Sequence, residues 1–263
     1  MSRNAIYVAI TSGVVALFAA SSCTTSKAPR STEAVTAAAS VRPEPTTLET
    51  ASSATAVAST PAASASSAAA QTPCPNDMVH LGKFCIDRYE SPNEQGVMPL
   101  VMQNAEDGEA WCKAHDKELC DEDQWMRACN GPTGLAYPYG SSYRRGACND
   151  DKRYIVPSWS KLSHWPAQDA VDEVKRLLQA EPSGARESCV SAEGVIDLTG
   201  NVGEWVRRTR PNETNHAHVV KGCFWGQCFR VPHEPACDYV NYQHAGGFRS
   251  YELGFRCCRK ARE

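Results

Sequence analysis

Several features are scarce or missing in this sequence of 263 residues. It has no basic excess: 27 Lys and Arg stand against 30 Asp and Glu, a formal net charge of −3. The electrostatic attraction that carries nucleic-acid binding is therefore missing, and nucleic acid is excluded as a partner. The apolar stretch from Ala5 to Ala20 is broken by Thr11, Ser12 and Gly13 and falls short of the roughly 20 apolar residues that a bilayer-spanning helix needs. No aromatic residue occurs between positions 24 and 73, so that segment has little with which to build a core. Phosphate loop, dinucleotide fingerprint and sequence-local Ser/His/Asp arrangement are all missing, which removes the motif-based grounds for those enzyme classes. No internal repeat is evident, which argues against a solenoid or an array.

Cysteine, by contrast, is abundant. Thirteen cysteines in a chain that is 42% hydrophobic indicate a globular domain stiffened by disulfides in an oxidising compartment rather than the cytosol. The chain's start agrees: Arg3 precedes the apolar stretch, and small residues lead to Ala20-Ser21-Ser22-Cys23, the pattern of a signal peptide. That run resembles a lipobox, with Ala20 where Leu is usual. Residues 1–23 are thus expected to be a lipoprotein signal peptide, with Cys23 carrying the lipid that anchors the exported chain to the cell envelope, on the periplasmic or outer-membrane side. Residues 24–73 are almost entirely Ala, Ser, Thr and Pro and are expected to form a disordered tether. The folded domain is expected to span residues 74–263.

Within the domain, Met78, Val79, Phe84 and Ile86 flank Gly82 and suit a short hairpin whose arms Cys74 and Cys85 could staple. NAEDGEAWCKA, from Asn104 to Ala114, reads as a helix burying Trp111, with Ala105 and Cys112 on the same face. Asp121 with Gln124 three residues later forms a capping-box-like start to a second helix, which Asn130-Gly131 ends. A third is expected from Pro166, suited to a first helical turn, through Val171, Val174, Leu177 and Leu178. Farther on, Gly, Pro, Asn and short apolar runs predict loops and short strands, and His216 and His218 read as solvated residues of a polar loop.

Several segments, in order, resemble the formylglycine-generating enzyme (sulfatase-modifying factor) family. FCIDRYESPN is similar to that family's opening strand, AEDGEAWC to its first helix, ELCDEDQWMRACNG to its Leu-Pro-Thr-Glu-x-Glu-Trp segment, and YPYGSSYRRGACND to its Tyr-Pro-Trp-Gly loop. VIDLTGNVGEWV resembles Asp-Met-x-Gly-Asn-Val-x-Glu-Trp, its most specific signature, and KGCFW with LGFRC resembles the closing Gly-Gly-Ser-Trp and Gly-Phe-Arg. The resemblance implies an α+β, C-type-lectin-like fold, low in regular secondary structure and rich in disulfides. It further implies the bonds Cys112–Cys257 and Cys129–Cys237, while Cys120, Cys148, Cys189, Cys223, Cys228 and Cys258 stay unassigned. It also implies calcium on the DLTGNVGE loop, held by Asp197 and Glu204 and by the carbonyls of Gly200 and Val202, where the plain reading is a tight turn with Glu204 in a salt bridge. A second calcium site would begin at Asn149 and Asp150.

Enzymes of the family oxidise a cysteine of a sulfatase to formylglycine with oxygen and copper(I), held by two thiolates five residues apart; soft thiolates suit that ion. Aligned without gaps, the serine position here holds Phe224 and the two copper positions hold Gln227 and Pro232, so none of the three is retained. The resemblance then implies a binding module for a protein, peptide or glycan ligand at the envelope. The alternative is a copper-dependent oxidase using Cys223 and Cys228, themselves five apart. A purely structural protein differs from both in needing no ligand pocket near Trp225 and Arg230. Cys228, His233 and Cys237 could also be read as transition-metal ligands, weakly in so disulfide-rich a chain. Arg256 reads as a structural anchor for a buried carboxylate.

Overall fold

The computed structural model of the chain describes residues 72–211, 214–226, 228 and 235–263. All of them fall in the unit Ala65–Glu263. The signal peptide, Cys23 and nearly all of the expected tether lie outside the described residues, as do Gln227, Arg230, Pro232 and His233.

The chain opens with an antiparallel hairpin, β1 (Met78–Leu81) and β2 (Phe84–Asp87). Gly82 turns it at a φ of +71°, a conformation that costs other residues a Cβ clash. The bond Cys74–Cys85 ties the segment before β1 to β2. Helix α1 (Ala105–Ala114) starts where Asn104 accepts from the Asp107 amide and Asp107 accepts from the Asn104 amide, a reciprocal capping box. It buries Ala105 and Cys112 but leaves Trp111 only half-buried; that ring stacks on His115 instead, centroids 4.5 Å apart.

After β3 (Glu118–Leu119), Gln124 accepts from the Asp121 amide at 2.8 Å and starts α2 (Glu122–Asn130), which Gly131 ends. A short helix absent from the sequence reading, α3 (Trp159–Leu162), precedes α4 (Gln168–Leu177). The third expected helix therefore begins at Gln168, and Pro166 stays outside it. The remaining strands are short: β4 (Gly203–Arg207), β5 (His218–Lys221), β6 (Val240–Asn241), β7 (Leu253–Phe255) and β8 (Cys257–Lys260). His218 thus opens a strand rather than sitting in a solvated loop, and its Nε2 lies 2.9 Å from Glu109.

Two four-stranded sheets result, ordered β1-β2-β8-β3 and β6-β5-β4-β7, all antiparallel except the β4–β7 pair. Strand side chains alternate between faces, which explains the doublet on β8. Cys258 points into the cluster of Trp125, Leu198, Val206 and Val219 and bonds Cys120. Cys257 points into the cluster of Trp205, Leu253 and Phe255 and bonds Cys112 on α1. The same alternation on β4 sends Trp205 into one cluster and Val206 into the other. Three further bonds close the loops: Cys129–Cys237, Cys148–Cys189 and Cys223–Cys228. At the fold's edge the Arg262 amide donates to the Pro73 carbonyl at 2.9 Å, so the chain leaves the domain beside the point at which it came in.

Candidate functional site

The loop after the bridge residue Ile196 carries the signature DLTGNVGEW and is packed too tightly for ordinary backbone. Asp197, Gly200 and Asn201 have φ of +55°, +76° and +53°, and a Cβ on Gly200 would lie 2.5 Å from the Asn149 carbonyl oxygen. Side chains satisfy what this shape exposes. Asn201 donates to Glu90 and to the Glu181 carbonyl, and accepts from Asn149 and the Glu181 amide. Asp197 accepts from the Gly184 amide at 2.7 Å.

Below this loop lies a buried charge cluster. Arg256, fully buried, donates from Nε to Glu204 Oε2 at 2.7 Å and from Nη2 to Oε1 at 2.6 Å. Trp125 Nε1 donates to Oε2 as well, at 2.8 Å. Arg256 therefore is the structural anchor the sequence suggested, joining the Gly-Phe-Arg and Glu-Trp motifs. Two more carboxylates share the surroundings: burial, then the charges of Asp197 and Glu204, push Glu90 well above the usual carboxylate range. Burial pushes Asp197 up to about 6. Glu90 belongs to the Tyr-Glu of FCIDRYESPN, but the sequence assigned it no role. It reaches Ser183 and Asn201, 93 and 111 positions away, and no local pattern announces such a role.

The expected calcium residues divide on these contacts. Glu204 is engaged through both oxygens by Arg256, and Asp197 by the Gly184 amide, so both carboxylates are held by protein donors in this structure. Asn149 and Asp150 differ. Asn149 Oδ1 and Asp150 Oδ2 are buried and accept no hydrogen bond among the described residues. Burial pushes Asp150 up to about 6, although Tyr143 donates to its other oxygen at 3.2 Å. Two orphaned oxygens on consecutive residues are of the chemical type that a hard cation prefers. Gly200 and Val202 lie on the same loop, Gly200 directly over Asn149.

The second feature is a cavity of about 350 Å³. It lies along β5, β6 and β7 under α3, and its walls include Trp159, Phe224, Tyr239, Phe248 and Tyr251. Cys223 also lines it and is joined to Cys228; the two thiols that the oxidase alternative requires are one disulfide. Trp225 is not part of the wall but is buried behind it, 5.7 Å from Phe224 and 6.0 Å from Tyr251 between ring centroids. Glu252, 7% exposed, completes the lining and accepts from the Ser250 hydroxyl.

Solved structures similar to this chain include CarF, at 15% identity over 67% of this chain and 86% of that one, with a TM-score of 0.44. PvdO from Pseudomonas aeruginosa is 16% identical over 67% of this chain and 80% of its own, TM-score 0.45. Treponema denticola variable protein 1 is 12% identical over 72% and 92%, TM-score 0.43. No curated protein matches the chain. The architecture is α+β and C-type-lectin-like, with few regular elements and many disulfides. Residues 85–261 match the sulfatase-modifying factor enzyme 1-like domain, and the chain belongs to that family.

Proposed function

We propose that this domain is a binding module on an exported, lipid-anchored chain, with Cys23 as the anchoring residue and the aromatic cavity as the site for a protein, peptide or glycan ligand at the envelope. The observation that carries the reading is the Cys223–Cys228 bond at the cavity wall. Copper(I) is held by thiolates, and a disulfide offers neither a thiolate nor a reducing equivalent. Six disulfides among the described residues support an oxidising compartment. No helix among the described residues is long and apolar enough to cross a membrane.

The second reading, a copper-dependent oxidase of protein cysteine, keeps one observation in its favour: Cys223 opens onto the cavity, so reduction would present a thiol there. Copper(I) titration of the full chain, with its disulfides mapped before and after, separates the two. The binding reading expects no tight site and a blocked Cys223–Cys228 pair. Tight one-to-one binding, lost in Cys223→Ser and Cys228→Ser, would establish the oxidase reading instead.

Calcium belongs to the proposal as a structural ion at Asn149 and Asp150. The two orphaned buried oxygens support it, and no chemical step is assigned to it.

A further inference from the structure

The cavity's lining narrows the chemistry of its occupant, on the reading that this cavity is the module's binding site. Aromatic rings line its walls: Trp159 and Phe224 both approach Tyr251 with ring centroids 6.4 Å apart, Phe224 edge-on at 88°. Ring faces carry negative quadrupolar potential and attract cations. Glu252 adds a nearly fully buried carboxylate whose described partner is the Ser250 hydroxyl, and no cationic side chain among the described residues pairs with it. Among the described residues no lysine or arginine lines the cavity. His244, stacked on Phe248 at 3.8 Å, is held neutral by burial. Arg176, the cation near Tyr251, is committed to Glu173 through two hydrogen bonds. Each described charged or quadrupolar element of the lining thus favours positive charge, and a buried carboxyl that keeps its proton for want of a counter-ion can ionise once a cation arrives.

We infer that the cavity binds an organic cation, an alkylammonium or quaternary ammonium group, seated among Trp159, Phe224 and Tyr251 with Glu252 as its counter-charge. An anionic ligand meets repulsion there, and a neutral sugar leaves Glu252 unpaired. The ammonium group can belong to a small free molecule or to a lysine side chain carried on a peptide; both present the same chemistry.

Isothermal titration of the full chain tests this with four probes. Choline and a short peptide bearing one trimethyllysine supply the cation, while 3,3-dimethylbutan-1-ol and the matching peptide with a neutral tert-butyl side chain supply the same shape uncharged. The expected result is at least tenfold preference for a cation over its neutral isostere, with the favoured pair identifying the free or the chain-borne source. Glu252→Gln should abolish that preference. Because Glu252 is buried, Trp159→Ala provides a second variant on a half-exposed side chain; losing one cation–π contact should weaken cation binding by about threefold to thirtyfold. Equal binding of charged and neutral probes overturns the cation inference while leaving the cavity a binding site. Binding of no probe overturns it too, and the thiol mapping above then judges the module reading separately.

Discussion

The contact between Arg256 and Glu204 joins residues 52 positions apart, and both are at most 1% exposed. A buried pair is costly to break from one side, because the surviving charge is left without its partner. Arg256→Met should therefore destabilise the fold by about 3 to 5 kcal/mol, measured by urea unfolding. Adding Glu204→Gln to it should recover part of the loss; a double variant no better than the sum of the two singles would refute the pairing as the source of the cost. Glu252 gives a residue-scale test against pH. Burial holds its carboxyl at about 7, against an ordinary 4.5, so the folded state keeps a proton that the unfolded chain releases. The stability it contributes is whole below about pH 4.5 and declines as pH rises through 7, by about 3 kcal/mol in all. Tyr154, Tyr239, Tyr251 and His244 line the same cavity, and Arg176 near Tyr251 is spoken for by Glu173. The fall in unfolding free energy from pH 5 to pH 8, to which the raised carboxyls of Asp150, Asp197 and Glu90 also contribute, should be smaller in Glu252→Gln than in the native chain by about 2 to 3 kcal/mol. The sequence made Arg256 and Glu204 legible because each sits in a short motif of fixed spacing. Glu90, though within FCIDRYESPN, and Glu252 were given no role by the sequence: their importance comes from burial and from partners brought in by the fold.

Among the elements, those with local signals were readable. Asn104 and Asp107 mark the start of α1, Asp121 and Gln124 that of α2, and Gly82 the first turn. The short α3 had none, since the Ser158 amide at its start is satisfied by Glu173 on α4, a contact that no window of sequence contains. The same holds for β6, two residues long, which exists because β5 offers it an edge. Strand β8 has a consequence for stability. Its bonds Cys112–Cys257 and Cys120–Cys258 close loops of 145 and 138 residues, yet either one alone shortens the loop left to the other to about ten residues. On the loop-entropy account, removing one bond costs about 3 kcal/mol and removing both costs about 6 to 7 kcal/mol, because Cys129–Cys237 already shortens the outer loop to about forty residues. Paired Cys→Ser variants, singly and together, should show this excess in unfolding free energy. Simple additivity would mean that the unfolded chain does not feel the two cross-links as nested.

For the molecule as a whole, the ordered motifs were enough to reveal the family and the disulfide-rich α+β class, because such a scaffold repeats its anchoring residues in a fixed order. The cavity was not legible: Trp159 comes from α3, Phe224 from the loop after β5 and Tyr251 from the approach to β7, and only folding places them around one space. A global measurement bears on the proposed ion. Calcium at about a hundred times its Kd should stabilise the folded chain by about 3 kcal/mol, a rise of about 5 to 10 °C in Tm for a domain of this size. Asp150→Asn should remove the rise, and an unchanged Tm in the native chain would refute the site. Lastly, the hydrogen bond from Arg262 to Pro73 brings the two ends of the domain within one backbone contact of each other. A domain with its ends side by side behaves as a cassette: grafted into a surface hairpin of an unrelated host, it can fold without prising that hairpin apart.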